Sequence, residues 1–149
     1  MKAWIQRVSE ASVTVDEKIV SQIGPGFLVL LGVRHEDGPD DVAWMARKIL
    51  ALRIFMDENE QMNRSVVDIK GSIIVVSQFT LYADTRKGNR PSFIGAARPE
   101  QAQPLYEDLV RQLRAQLGEA RVGTGVFGAR MQVRLVNAGP VSVELCSEA

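Results

Sequence analysis

A chain of 149 residues is most economically one domain, and 46% hydrophobic with 24% charged residues is the make-up of an ordinary water-soluble globular protein. Eighteen basic residues balance eighteen acidic ones, so a nucleic-acid partner would have to be met by a local patch and not by a whole-molecule positive field. One cysteine, Cys146, and one histidine, His35, exclude a disulfide framework and the usual zinc sites, and a Ser–His dyad is open only if His35 is its base.

The opening stretch "MKAWIQRVSEASVTV" interrupts its apolar positions with Gln6, Arg7, Ser9 and Glu10, which is not a signal-peptide pattern. Trp4 and Val8, then Val13 and Val15, then Ile19 and Ile23 fall on short β-rich stretches parted by polar turns, and so predict a meander. After the turn at Gly24, Pro25 and Gly26, the continuously apolar Phe27 to Val33 reads as a strand buried on both faces. His35 lies in the polar "VRHEDGPDD", where a solvated loop residue is expected. The pattern then changes to period 3.6, with Val42, Met45, Ile49 and Leu52 on one stripe and Asp40 and Asp41 at the positive helix start.

A turn-rich connection leads to a second core strand at Ser72 to Val76. A second helix is announced by Pro99 and by Leu105, Leu109 and Leu113, with Pro104 favouring a later start and Gly118 marking the end. Two C-terminal strands follow, "ARMQVRLVN" and "VSVEL", parted by Gly139-Pro140. The expected order is β-β-β-β-α-β-α-β-β, a single α+β domain over residues 1–149 with a mainly antiparallel sheet, or partial barrel, and two helices packed on it. No apolar run approaches the ~20 residues of a membrane span, so the protein reads as cytoplasmic with no membrane partner.

Ordinary catalytic signatures are missing: there is no GxxxxGK[ST], no GxSxG and no HExxH, and neither metal nor cofactor is called for. Four stretches stand out. In "SQFTLYAD" the polar Ser77, Gln78 and Thr80 follow a buried strand. They either tidy the strand end or form a site in which backbone N–H groups, the Thr80 hydroxyl or the Gln78 amide stabilise a developing oxyanion. "NAGPVS" is either a plain turn or a sharp bend that redirects two successive carbonyls. In "TRKGNRPSF", Arg86, Lys87 and Arg90 make either a solvated hairpin tip or a grip on a phosphodiester chain. Phe127 and Met131 in "GTGVFGARM" are either core residues or, for Phe127, a platform on which a base could stack.

"SQFTLYAD" with "RPSF", a helix, "GVFGARMQV" and "VNAGPVS", in that order, resembles the D-aminoacyl-tRNA deacylase family, the former D-tyrosyl-tRNA deacylases; "WIQRVSEASVTV" and "GPGFLVLLGV" extend the likeness over essentially the whole chain. The resemblance implies hydrolysis of the ester between a D-amino acid and the 3′-terminal adenosine of tRNA by a homodimer with its site near the interface. Ser77, Gln78, Phe79, Thr80 and Leu81 would form one wall of the pocket, and Phe127 and Met131 would line the place of the adenosine. Gly139 and Pro140, joined by a cis peptide and supported by Arg7, would reach into the partner subunit's site.

An activated ester needs less help than an amide, so amides around Phe79 and Thr80 could hold the carbonyl oxygen while water attacks, with help from the ribose 2′-hydroxyl. With no base in view, Thr80 is assigned positioning or oxyanion work and not the nucleophile's part. If Gly139 and Pro140 crowd the position of an L side chain, L esters are refused by clash and glycine is not. Two positions depart from the family pattern, Ala138 and Ser142; the first cannot make a polar side-chain contact there, while the second keeps a hydroxyl. Two other readings stand beside this one: an editing domain for a mischarged L-aminoacyl-tRNA, and a non-catalytic module that binds tRNA 3′ ends.

Overall fold

The computed structural model describes residues 1–148. Its elements are β1 (Lys2–Val15), β2 (Lys18–Ile23), β3 (Gly26–Gly32), α1 (Pro39–Ala51), β4 (Phe55–Met56), β5 (Met62–Arg64), β6 (Ser72–Ser77), α2 (Pro99–Leu117), β7 (Val122–Thr124) and β8 (Gln132–Cys146). Three strands precede α1, not four. The turn-rich connection holds the small β4–β5 hairpin, and the short β7 follows α2.

β1 organises the sheet. It pairs antiparallel with β2 through Ala11–Val15, with β3 through Lys2–Val8 and with β8 along most of its length. The order is β2-β1-β3-β6-β7, with β8 also on β1. The expected antiparallel majority thus comes from β1, whereas β3–β6 and β6–β7 pair in parallel. The chain segments that carry α1 and α2 supply the long crossovers that parallel pairing needs.

Both faces of β3 and β6 are covered. Phe27, Val29, Leu31, Ile73 and Val75 pack toward the two helices, while Leu28, Ile74 and Val76 pack with Val8, Ala11 and Val13 inside the curl of β1 and β8. Strands buried this way need no polar alternation, which is why both read as unbroken apolar runs. The expected meander is instead one 14-residue strand and a hairpin turned at Asp16 and Glu17, both with positive φ. Its burial also differs from the predicted pattern: Ala3, Ile5, Val8, Ala11 and Val13 face inward, while Trp4 is 36% and Ile19 62% exposed. Register shifts in the β1–β8 pairing around Val8 change which face each residue takes, so a strict period of two cannot be read through the strand.

α1 stops at Ala51, because Leu52 is already extended. α2 starts at Pro99 and accommodates Pro104, so the later start is not adopted. Leu109 and Leu113 are fully buried, and the buried Tyr106 hydroxyl donates to the Val75 carbonyl at 2.7 Å, tying α2 to β6. Burial pushes the Tyr106 phenol up to about 12, so it stays a neutral donor across the physiological range. The predicted break at Gly139-Pro140 is a distortion inside the continuous β8. None of the described helices is long and apolar enough to cross a membrane.

Candidate active site

The parallel ladder between β3 and β6 runs one residue past Ser77, where the Gln78 N–H donates to the Leu31 carbonyl at 2.8 Å. Gln78 then leaves the strand conformation, and a 3₁₀ turn over Phe79–Tyr82 closes with Leu81 N–H on the Gln78 carbonyl and Ala83 N–H on the Thr80 carbonyl. Among the described residues, the amides of Phe79 and Thr80 donate to no backbone acceptor, as expected for the first donors of a helical turn. The Gln78 side-chain amide donates to the Thr80 hydroxyl, which fixes the turn from within. The Phe79 ring meets Phe93 edge to face, 5.1 Å between centroids.

Ser77, Gln78 and Phe79 form one side of a cavity of about 620 Å³. Its apolar part is made by Leu31, Val76, Val133, Met131 and Phe127, and the start of α2 brings in Arg98, Pro99 and Ala102. The lining carries no Asp, Glu, His or Lys, and its single charged side chain is Arg98. No side chain there can act as a general base at neutral pH. His35 is elsewhere, exposed, with its ring Nε2 2.9 Å from the Ile94 carbonyl.

Of the expected site residues, Ser77, Gln78, Phe79, Phe127 and Met131 come together here. Thr80 lies just beyond the lining and touches it through Gln78. Leu81 is also outside it, packed where the chain passes Gly32, at which an added Cβ would stand 3.2 Å from the Leu81 Cβ. The loop of Arg86, Lys87 and Arg90 is exposed, pinned at its base by the Asp84–Ser92 bridge. Its cations are not equivalent: Arg86 donates twice from Nε and once from Nη2 to Asp84, and this pairing holds the Asp84 carboxyl down at about 2. Lys87 and Arg90 form no ion pair among the described residues.

Gly139 and Pro140 are not part of this cavity. They are exposed, joined by a cis peptide, and sit beside Arg7, which pairs with Phe27 at the end of β3 remote from Leu31. The Arg7 guanidinium donates from Nε to the Ala138 carbonyl at 2.8 Å and from Nη1 to the Ile54 carbonyl at 2.6 Å. Asn137 spans the bend from the other side: its Oδ1 accepts from the Val141 N–H at 2.7 Å, and its Nδ2 donates to the Val141 carbonyl and the Ser142 hydroxyl at 3.2 Å each. Gly139 has φ +147°, and a Cβ would meet the Val141 Cγ2 at 2.8 Å and the Arg7 Nη2 at 3.0 Å, so glycine is required there. Ala138 takes part in the bend through its backbone carbonyl, while its neighbour Asn137 makes side-chain hydrogen bonds across it. Sequence reasoning named neither Asn137 nor Arg98 nor Phe93 as site residues; Phe93 was within reach, since "RPSF" belongs to the pattern that carried the resemblance.

The family model described as D-Tyr-tRNA(Tyr) deacylase matches residues 4–146. The chain belongs to that family. Among its relatives, the D-aminoacyl-tRNA deacylase of Opitutus terrae is 58% identical, with 100% of this chain and 99% of the relative covered. The D-aminoacyl-tRNA deacylase of Flavobacterium psychrophilum is 56% identical over 99% of this chain and 98% of its own. A solved structure of a c-Myc DNA Unwinding Element Binding Protein superimposes with a TM-score of 0.95, at 46% identity and full coverage of both chains. Family membership makes the chain a hydrolase of the deacylase class, and the α+β deacylase fold expected from the sequence is the one observed.

Proposed function

We propose that the protein hydrolyses the ester between a D-amino acid and the 3′-terminal adenosine of tRNA, releasing both, and that a second copy of the chain closes the pocket with Gly139 and Pro140. The observation that carries this reading is the cavity wall at Ser77–Phe79: a rigid strand end presents two amides without backbone acceptors beside an apolar cavity that holds no general base.

Such a wall suits an ester already activated toward water. The carbonyl oxygen of the substrate lies against the Phe79 and Thr80 amides, which stabilise the negative charge as water adds. The ribose 2′-hydroxyl, vicinal to the ester, relays the proton that no side chain in the cavity can take. Thr80, tethered by the Gln78 amide, keeps the turn in register and does not attack. Phe127 and Met131 hold the adenosine, and Arg98 is placed for its phosphate. Lys87 and Arg90 supply cations for the acceptor strand further out, with Arg86 as a weaker third because Asp84 already neutralises it.

Enantiomer choice falls to Gly139 and Pro140. They are exposed and lie outside their own protomer's cavity, while Arg7 and Asn137 hold the bend in one shape. Delivered across a two-fold interface, they crowd the position of an L side chain and leave room for a D side chain. Glycine offers nothing to clash with, so glycyl-tRNA is also cleaved.

Incubation with matched D- and L-tyrosyl-tRNA tests the reading. Loss of the D ester alone is expected. Loss of the L ester would establish an editing enzyme instead, and stability of both would leave a tRNA-end-binding protein.

A further inference from the structure

A second cleft, of about 320 Å³, shares Phe127 with the cavity just described. The Phe127 ring leans on Tyr106 at 5.9 Å between centroids, so one aromatic residue is common to two neighbouring sites. The chain just before it is firmly held: the Gly125 N–H donates to the Val75 carbonyl at 3.3 Å, and a Cβ at Gly125 would stand 2.4 Å from the Met131 sulfur. α2 runs past both sites, with Pro99 and Ala102 at the first and Gln103, Tyr106 and Glu107 at the second. From Ala102 to Tyr106 the helix rises about 6 Å.

The charges of the second cleft are balanced. Arg114 faces Glu119 at 3.3 Å and donates to the Val122 carbonyl, and Arg111 is paired with Asp108. A phosphate would call for net positive charge; this cleft offers instead a mixture of donors and acceptors. Glu107, exposed on α2, accepts from the Gln103 amide at 2.9 Å through one oxygen, and its other oxygen has no hydrogen-bond partner among the described residues. A carboxylate is the side chain suited to the exocyclic amine of cytosine, and a guanidinium suits the carbonyl and ring nitrogen on the same edge.

We propose that this cleft binds the base of the nucleotide before the terminal adenosine, a cytidine in every tRNA, with Glu107 accepting from its N4 amine and Arg114 facing its acceptor edge. The assignment rests on the adenosine occupying the first cavity beside Phe127, and it adds a subsite that reads the acceptor strand one residue further in.

The probes are three non-hydrolysable compounds in which D-tyrosine is joined by an amide to the 3′-amino analogue of adenosine, of the dinucleotide CpA or of UpA. Affinities are measured by calorimetry on the wild-type protein and on Glu107→Ala. The CpA compound should bind about fivefold or more tighter than the adenosine compound and than the UpA compound. Glu107→Ala should bring the CpA and UpA affinities together. Equal affinity for the adenosine and CpA compounds, equal affinity for CpA and UpA, or a cytidine preference that survives Glu107→Ala would each overturn the subsite, as would failure of all three to bind. Deacylation of D-tyrosyl-tRNA, assayed separately, reports on the proposed reaction: its absence alongside a Glu107-dependent cytidine preference would sink the activity and leave the subsite.

Discussion

The strand end at Ser77–Phe79 and the bend at Gly139-Pro140 are built in opposite ways. The first is backbone geometry: two strands buried on both faces set the position of Gln78, and a 3₁₀ turn leaves two amides pointing out. The second is a distortion within an edge-lying strand, held by the side chains of Arg7 and Asn137. A site made of buried backbone is hard to alter by side-chain replacement, whereas one held by a few side-chain hydrogen bonds can be loosened by a single change. Chemistry should therefore resist substitution better than selectivity does.

The largest effect should come from attacking the backbone directly. Phe79→Pro deletes an amide at the first position of the 3₁₀ turn, where proline is sterically acceptable, and should lower kcat for D-tyrosyl-tRNA by about 10²-fold or more. Phe79→Ala, which removes the ring and keeps the amide, should lose clearly less; equal losses would place the contribution in the ring.

At the bend, Arg7→Ala leaves the Ala138 and Ile54 carbonyls without their donor and should destabilise the fold by about 1–3 kcal/mol in chemical denaturation. Its more telling consequence should be a fall in the ratio of D- to L-tyrosyl-tRNA hydrolysis. An unaltered ratio in a folded variant would detach the bend from selectivity.

Thr80→Ala should reduce kcat less than about tenfold, because the hydroxyl only helps to hold a turn that the backbone already closes. Abolition of activity with the fold intact would restore Thr80 as the nucleophile. The smallest effect is on pH dependence. With no Asp, Glu, His or Lys lining the cavity, the rate should show no bell between about pH 6 and about 8, and His35→Ala should leave that profile as it was.

Which parts of this were legible in the sequence follows from what each depends on. The two core strands declared themselves because burial on both faces forbids polar alternation, and both helices showed their stripes. The 14-residue β1 did not, because its pairing shifts register around Val8 and places Trp4 outward. Ser77, Gln78 and Phe79 could be singled out together because they sit next to each other in the chain, and they line one cavity. Arg98 and Phe93 reach the same cavity from the segment before α2; Phe93 lies in the "RPSF" motif that carried the resemblance, whereas no local pattern links Arg98 to the cavity. Asn137 escaped for another reason: its role is visible only once β8 is seen to run on through the bend, so that one amide can bridge it.

The central claim is that amides on one chain and a bend from another complete a single site, and mixed dimers test it most directly. One subunit carries Phe79→Pro with its bend intact, and the other carries Arg7→Ala with its wall intact. The account predicts that the mixed dimer hydrolyses D-tyrosyl-tRNA and spares the L ester, because its one competent wall receives the intact bend from the partner. Hydrolysis as unselective as that of the Arg7→Ala homodimer would mean that each wall is served by its own chain's bend, and would contradict it.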